Sequence, residues 1–139
     1  MNITIHYSSA SQEWETPAEL FDKYDSIYNF TLDVAASVTN AKCARFFSID
    51  NDGLKNDWNG VIWCNPPYRN VKLWIKKAYE ESIKGATVVM LIPARPDTKA
   101  WHEYVFKYAK IEFLRGRLKF SNSKNSAPFP SAIVIFNGQ

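Results

Sequence analysis

The sequence predicts an α/β sandwich built around a mixed, mostly parallel sheet. Three observations carry this. Short apolar runs of strand length alternate with stretches of helical period. One run, ATVVMLIPA (residues 86–94), is continuously apolar and rich in β-branched residues, as a strand covered on both faces should be. The end of the chain reads as strands joined by turns, which adds an antiparallel C-terminal hairpin.

In order along the chain, residues 1–12 read as a loose polar arm. ETPAELFDKYD then carries helix-start signals: Thr16 as the cap, Pro17 at the first helical position and Glu19 to complete a capping box. YNFTLDVAAS reads as a turn and a short buried strand ending near Asp33, and CARFFSIDNDG as a second strand, Ala44 to Ile49, closed by acids and Gly53. GVIWCNPPY gives a third strand, which Pro66 and Pro67 stop. Val71, Trp74, Ile75 and Ala78 recur at i, i+3, i+4 and i+7, one face of a helix that Gly85 ends. Beyond the apolar run, DTKAWHEYVFKYAK predicts a helix with Trp101, Tyr104, Val105 and Tyr108 on one face. IEFLRGRLKFS predicts a strand, a kink at Gly116 and a further strand; NSKNSAPFP is a polar loop and SAIVIF the last strand. Trp58, Trp63, Trp74 and Trp101 are expected in the core, while Trp14 suits either a staple against Phe21 or a ligand lid.

At 139 residues, 46% of them hydrophobic, the chain has the size and composition of a single domain, 1–139, with one packed core. No apolar run approaches the roughly 20 residues of a membrane span, and the N-terminus lacks the basic-then-apolar order of a secretory signal. The expectation is a soluble, cytoplasmic protein with no membrane partner. Cys43 and Cys64 stand in no CxxC pair and His6 and His102 are remote in sequence, so reduced thiols are expected and no metal site. The net charge of +3 is unevenly spread: residues 1–60 carry −5, residues 61–94 carry +3 and residues 95–124 carry +5. A basic second half suits a polyanionic partner.

Asp33, Asp50 and Asn65 all fall at predicted strand ends, and ligands of open α/β sheets sit beyond the C-terminal ends of the strands. The run Asn65-Pro66-Pro67-Tyr68 is the most chemically specific stretch on that rim. The exocyclic amino group of a nucleobase is a poor nucleophile because its lone pair is delocalised into the ring. Two acceptors gripping its two N–H bonds would localise and aim that pair. The side-chain oxygen of Asn65 supplies one acceptor and a main-chain carbonyl, most naturally that of Pro66, the other. The prolines hold φ at about −65° and add no competing donor. Tyr68 offers a ring on which a base can stack. Asn is no base at neutral pH, so such a site works by positioning and electrostatics, and the proton leaves late. A duplex substrate would have to give up its target base into the pocket.

Asn-Pro-Pro-Tyr after an apolar strand resembles the motif of S-adenosylmethionine-dependent amino methyltransferases. The ordered set EWETPAELFDKYDSIYNFTLDVAAS, NAKCARFF, NDGLKNDWNGVIWCNPPY, LIPARPDTKAWHEYV, LRGRLKFS and APFPSAIVIF is similar to the phage DNA N-6-adenine methyltransferase family, from about Glu13 to Phe136. The resemblance implies a reduced, Rossmann-like class I methyltransferase sandwich without a separate target-recognition domain. It implies S-adenosylmethionine as cofactor, adenine N6 in duplex DNA as acceptor, and a flipped target base. Asn65, Pro66, Pro67 and Tyr68 take the place of the family's catalytic tetrapeptide. Trp14, Thr16 and Pro17 match the segment over the cofactor's methionine end, and Asp33, Ala35 and Ala36 the first strand and cofactor loop. Asp50 and Asp52 are candidates for the ribose hydroxyls, since both hydroxyls of a diol donate to a carboxylate. Protection of viral DNA from host restriction is a further family-level expectation.

The cofactor loop has Ala-Ala-Ser where methyltransferases at large have glycines; the resembled family lacks them too. Only the 11 residues Gly53 to Trp63 part the Asp52 region from Cys64-Asn65, so DNA sequence would be read by loops or by the second copy in a homodimer. Arg69, Lys72, Arg95, Lys99, Arg115, Arg117 and Lys119 are the basic candidates for DNA contact, with Arg69 and Arg95 expected on the catalytic rim. Two other readings stay open: a DNA-binding decoy with an anti-restriction role and no turnover, and an amino methyltransferase acting on an RNA base or a protein glutamine.

Overall fold

The computed structural model describes residues 14–37, 39–49 and 51–138; the predicted arm 1–12 and Asp50 lie outside them. Its elements are helix α1 (Ala18–Tyr28), strands β1 (Leu32–Asp33) and β2 (Val61–Cys64), helix α2 (Val71–Ile83), strand β3 (Thr87–Pro93), helix α3, and strands β4 (Lys110–Phe113) and β5 (Ser131–Phe136). Helix α3 is π-type over Trp101–Val105 and ends in the α turn Phe106–Tyr108.

The sheet has the order β1-β2-β3-β5-β4. The β1–β2 and β2–β3 pairs are parallel, and β5 is antiparallel to both β3 and β4. Four strands therefore point one way and β5 alone runs against them. The C-terminal ends of β1 to β4 and the start of β5 share one rim. This is the mixed, Rossmann-like sandwich the sequence predicts, with β4 and β5 as its antiparallel pair.

Period-2 alternation splits the core into two halves on opposite faces of the sheet. Val88, Met90 and Ile92 of β3, with Ala132, Val134 and Phe136 of β5, pack beside Trp74, Ile75 and Ala78 of α2 and Trp101 and Val105 of α3. Val89 and Leu91, with Ile133 and Ile135, face the other way, toward Phe21 and Tyr24 of α1 and the loop residues Tyr68, Phe120 and Ala127. Burial on both faces explains why these two strands are apolar throughout. Trp58, Trp63, Trp74 and Trp101 are all buried, as expected of packing residues.

Two glycines answer to local geometry. Gly85 ends the turn after α2 with φ 116°, a conformation other residues resist. A Cβ on Gly53 would stand 2.2 Å from the Val34 carbonyl oxygen, so the loop before β2 packs directly on the end of β1. That loop is tied to α2 as well. Trp58 donates its backbone N–H to Oε1 of the buried Glu81 at 2.7 Å, and its indole N–H to the Gly53 carbonyl at 2.8 Å.

Four local expectations are corrected. The strand expected over Ala44 to Ile49 is reduced to one parallel bridge, Asp33 to Phe46, because Ala44 and Arg45 are exposed and Ile49 stands 80% exposed, with no layer over them among the described residues. No strand forms over residues 117–121, directly after Gly116, since β5 already occupies the inner edge of β4 and Phe120 turns instead into the aromatic cluster beside Tyr68. Thr16 does not cap α1: Pro17 is the N-cap residue, extended at ψ 138°, with no side-chain cap bond. Tyr108, expected on the apolar face of α3, is exposed and stacks on Tyr79 at 4.4 Å.

Candidate active site

A cavity of about 300 Å³ opens on the shared rim, beyond the ends of β1 and β2. Its wall includes Asp33, Ala35 and Ala36 from the end of β1, Asp52 from the loop before β2, and Asn65 and Pro67 just after β2. Trp14 and Thr16 close it from the segment leading into α1. Two of the three acids and amides expected to converge, Asp33 and Asn65, thus share one cavity; Asp50 lies outside the described residues.

Asp33 is 3% exposed. Its Oδ1 accepts the Ala35 N–H at 3.3 Å and its Oδ2 the Lys42 N–H at 3.0 Å. Burial pushes its carboxyl up to about 6, against the pull of those two bonds. Asp52 sits at φ 54°, with Oδ1 held by the Leu54 N–H at 3.1 Å and its other oxygen 3.8 Å from Lys55. Two cavity-wall residues, Asn70 and Trp74, hold buried polar atoms without a hydrogen-bond partner among the described residues: Oδ1 of Asn70, an acceptor, and Nε1 of Trp74, a donor.

Asn65 is where the site is most ordered. Its Nδ2 donates to the Trp14 carbonyl and to the Thr16 hydroxyl, the latter at 3.0 Å. Its Oδ1 accepts from the Tyr68 hydroxyl at 2.7 Å. Both amide hydrogens are therefore committed, and one lone pair of the oxygen has no partner among the described residues. Pro67 is the extended N-cap, at ψ 128°, of the single 3₁₀ turn Tyr68–Asn70 that leads into α2. This turn brings the Tyr68 hydroxyl back over Asn65.

Tyr68 is only 4% exposed. Its ring meets Phe120 and Phe129 edge-on, at 6.4 and 5.5 Å, and its hydroxyl also lies 3.1 Å from the Leu91 carbonyl. Burial keeps the phenol well above its ordinary range, so it stays a neutral donor. The ring face that was expected to receive a base is covered in this arrangement. Trp14 makes no ring contact with Phe21 among the described residues; its ring lies against Phe120 and Phe129, at 5.2 and 5.5 Å.

A family described as DNA N-6-adenine-methyltransferase (Dam) matches residues 5–136. The chain belongs to this family. It is 37% identical over 129 residues to the DNA N-6-adenine-methyltransferase of Escherichia phage T1, a match covering 91% of this chain and 54% of that protein. It is 32% identical over 134 residues to the DNA N-6-adenine-methyltransferase of Haemophilus phage HP1, covering 88% of this chain and 77% of that one. The chain thus spans about half the length of the T1 relative. A solved structure from Pyrococcus horikoshii, described as a candidate RNA methyltransferase, overlaps 79% of this chain and 64% of its own at a TM-score of 0.49 and 12% identity.

In this adenine-methyltransferase family member the basic residues divide by position. Arg69 lines the cavity and is exposed. Arg95 follows β3 and lies close enough to Tyr68 for its charge to favour the ionised phenol, against burial. Arg115, Arg117 and Lys119 are exposed on the β4–β5 connection at the same rim, and Lys99 is exposed at the start of α3, 3.7 Å from Glu103. Lys72 is exposed on the first turn of α2.

Several wall residues escaped the sequence reading. Phe47 arrives from the stretch expected to be a strand and Lys42 from just before it, and Trp74, expected only as core, is core and wall together. Asn70 was findable: it closes the turn that Asn65-Pro66-Pro67-Tyr68 begins. The two cysteines are free, Cys64 buried in the sheet and Cys43 pushed up to about 11, mainly by burial, so neither is a ready nucleophile. Among the described residues no helix is long and apolar enough to cross a membrane.

Proposed function

We propose that this chain transfers a methyl group from S-adenosylmethionine to the N6 amino group of adenine in DNA. The observation that carries the reading is the committed amide of Asn65: with both hydrogens bound to Trp14 and Thr16, it offers an incoming group only an acceptor. An amino group suits that oxygen and a keto oxygen does not. Family membership supports the same acceptor.

The cavity fits the cofactor chemically. Asp33 and Asp52 suit a cationic, diol-bearing ligand, and Phe47, Leu54 and Trp74 give apolar walls. Ala35 and Ala36 stand in the cavity wall where the cofactor loop was expected, and Trp14, Thr16 and Pro17 form the segment at its edge. When bound, S-adenosylmethionine supplies an electrophilic methyl carbon. Asn65 and the main-chain carbonyl of Pro66 hold the two N–H bonds of the amine and aim its lone pair. The Asn65 amide is no base at neutral pH, so the surplus proton of the amine would leave late, for solvent.

The flipped base would enter past Trp14 and Phe129, whose displacement would uncover Tyr68 for stacking. Arg69 and Arg95 hold the nearest phosphates, with Lys99, Arg115, Arg117 and Lys119 further along the rim. DNA sequence is read by these rim loops or by a second copy of the chain.

The test is incubation with labelled S-adenosylmethionine and plasmid lacking adenine methylation, followed by digestion to nucleosides. Label on N6-methyldeoxyadenosine is expected. Tight DNA binding without transfer would make the protein a decoy, and label confined to RNA or protein would change the acceptor.

A further inference from the structure

We propose that Thr16 is a positioning residue that, beside the accept-only Trp14 carbonyl, holds the Asn65 amide with its oxygen toward the substrate. The inference rests on the reading of Asn65 as the catalytic amide and adds the device that orients it. An asparagine side chain fits its site in two ways that exchange oxygen and nitrogen, so its surroundings must choose. Here they choose chemically. The Trp14 carbonyl can only accept, so it must face Nδ2. Thr16 Oγ1, 3.0 Å from the same nitrogen, takes the second hydrogen. Tyr68 donates to the oxygen from the other side at 2.7 Å. Were the amide reversed, its oxygen would face the Trp14 carbonyl with no hydrogen between them.

Thr16 is free for this because the helix does not use it. Its sequence signals a cap, yet Pro17 is the N-cap residue and makes no side-chain cap bond. It is 2% exposed, so water does not compete for its hydroxyl. The segment is also anchored independently of Asn65. Glu15 N–H donates to Asn122 Oδ1 at 3.1 Å, Ser121 N–H to the Glu15 carbonyl at 3.0 Å, and Ser121 Oγ to the Thr16 carbonyl at 3.3 Å. The loop at 121–122 thus holds 14–16, which holds Asn65. The consequence is selectivity for an N–H-bearing acceptor over a carbonyl.

The test compares Thr16→Val, which keeps the shape and loses the hydroxyl, with Thr16→Ser, which keeps the hydroxyl, in the full chain. Single-turnover methyl transfer to unmethylated plasmid should fall about 10- to 100-fold in Thr16→Val and return to within about threefold of wild type in Thr16→Ser. The Kd for S-adenosylmethionine, measured by calorimetry, should change by no more than about twofold. A wild-type rate in Thr16→Val overturns the inference, as does a loss lying wholly in cofactor Kd, which would assign Thr16 to cofactor binding instead. A second measurement needs no variant: the side-chain NH₂ of Asn65 in the wild-type protein should exchange slowly with solvent by NMR, and free exchange overturns the clamp. Asn65→Ala run in parallel separates the two levels. Retained transfer there sinks the catalytic reading itself, whereas a dead Asn65→Ala beside a fully active Thr16→Val sinks only the positioning role.

Discussion

The phenolic hydroxyl of Tyr68 lies 2.7 Å from Oδ1 of Asn65 and 3.1 Å from the carbonyl oxygen of Leu91. One proton serves two acceptors, so Tyr68 links the candidate amide to the central strand of the sheet. Its ring is buried among Phe120, Phe129 and the apolar side of β3.

Tyr68→Ala should therefore destabilise the fold by about 3–5 kcal/mol, the usual consequence of deleting a buried aromatic ring. Tyr68→Phe should lose about 1 kcal/mol, one hydrogen bond, and slow transfer while DNA binding persists. Urea unfolding of both variants decides it; Tyr68→Ala with wild-type stability would mean that the ring serves the base alone.

Asn65→Ala should raise the barrier to methyl transfer by about 2–4 kcal/mol, as for loss of one oriented polar group. Asn65→Asp should do no better. A carboxylate has no hydrogen for the Trp14 carbonyl, so the same oxygen that suits an amide repels an acid. Single-turnover rates and melting temperatures are the measurements; an active, equally stable Asn65→Asp would remove the Trp14 contact from the account.

Asp33 gives a signed pH dependence. Burial raises its carboxyl from 3.8 to about 6 in the folded protein. The folded state then holds a proton that the unfolded state releases first, so stability falls as pH rises from about 4 to 6 and stays lower above that. The loss is about 3 kcal/mol at most for this one group in the cofactor-free protein. Asp33→Asn should consequently gain on the wild type above about pH 6 and not below about pH 4. Chemical denaturation of both proteins across that range measures the difference. Bound S-adenosylmethionine, being cationic, favours the carboxylate, so cofactor affinity should weaken below about pH 6.

Arg69→Ala, Arg95→Ala and Arg117→Ala should each flatten the dependence of log K on log salt for DNA by about 0.9, if each neutralises one phosphate. Lys76→Ala is the control, since Lys76 is exposed on α2 and already lies 3.8 Å from Glu80. Titrations over a range of KCl check this; an unchanged slope in all three would take the rim out of DNA contact.

The parts of this molecule that the sequence made legible are those where one force dominates. Strand β3 is covered on both faces, so its residues had no choice but to be apolar, and the run announced itself. Asn65-Pro66-Pro67-Tyr68 was legible because its residue types are chemically constrained, and β2 and α2 frame it as expected. Where two forces compete, local rules misled. Thr16 carries the signature of a cap, but a buried amide nitrogen needed its hydroxyl more than the helix did. The stretch at 44–49 holds two phenylalanines and an isoleucine, yet its backbone meets only the end of β1, at Asp33 and Ala36, before Ser48 turns back to Asn51 and Asp52, and Ile49 is left 80% exposed. The part of Tyr68 that pattern could not reveal was which of its ends faces the site; its ring went to the core and its hydroxyl to Asn65.

Strand β5 makes both antiparallel seams of the sheet, holding β3 on one side and β4 on the other. A growing chain exposes β4 at the ribosome well before the segment that will pair with it. Through that interval β3 presents an open apolar edge, the kind of surface on which nascent chains aggregate or recruit chaperones. Translation pausing between the codons for Phe113 and Ser131 would lengthen that exposure, whereas swift completion of Ser131–Phe136 ends it in a single zipping step.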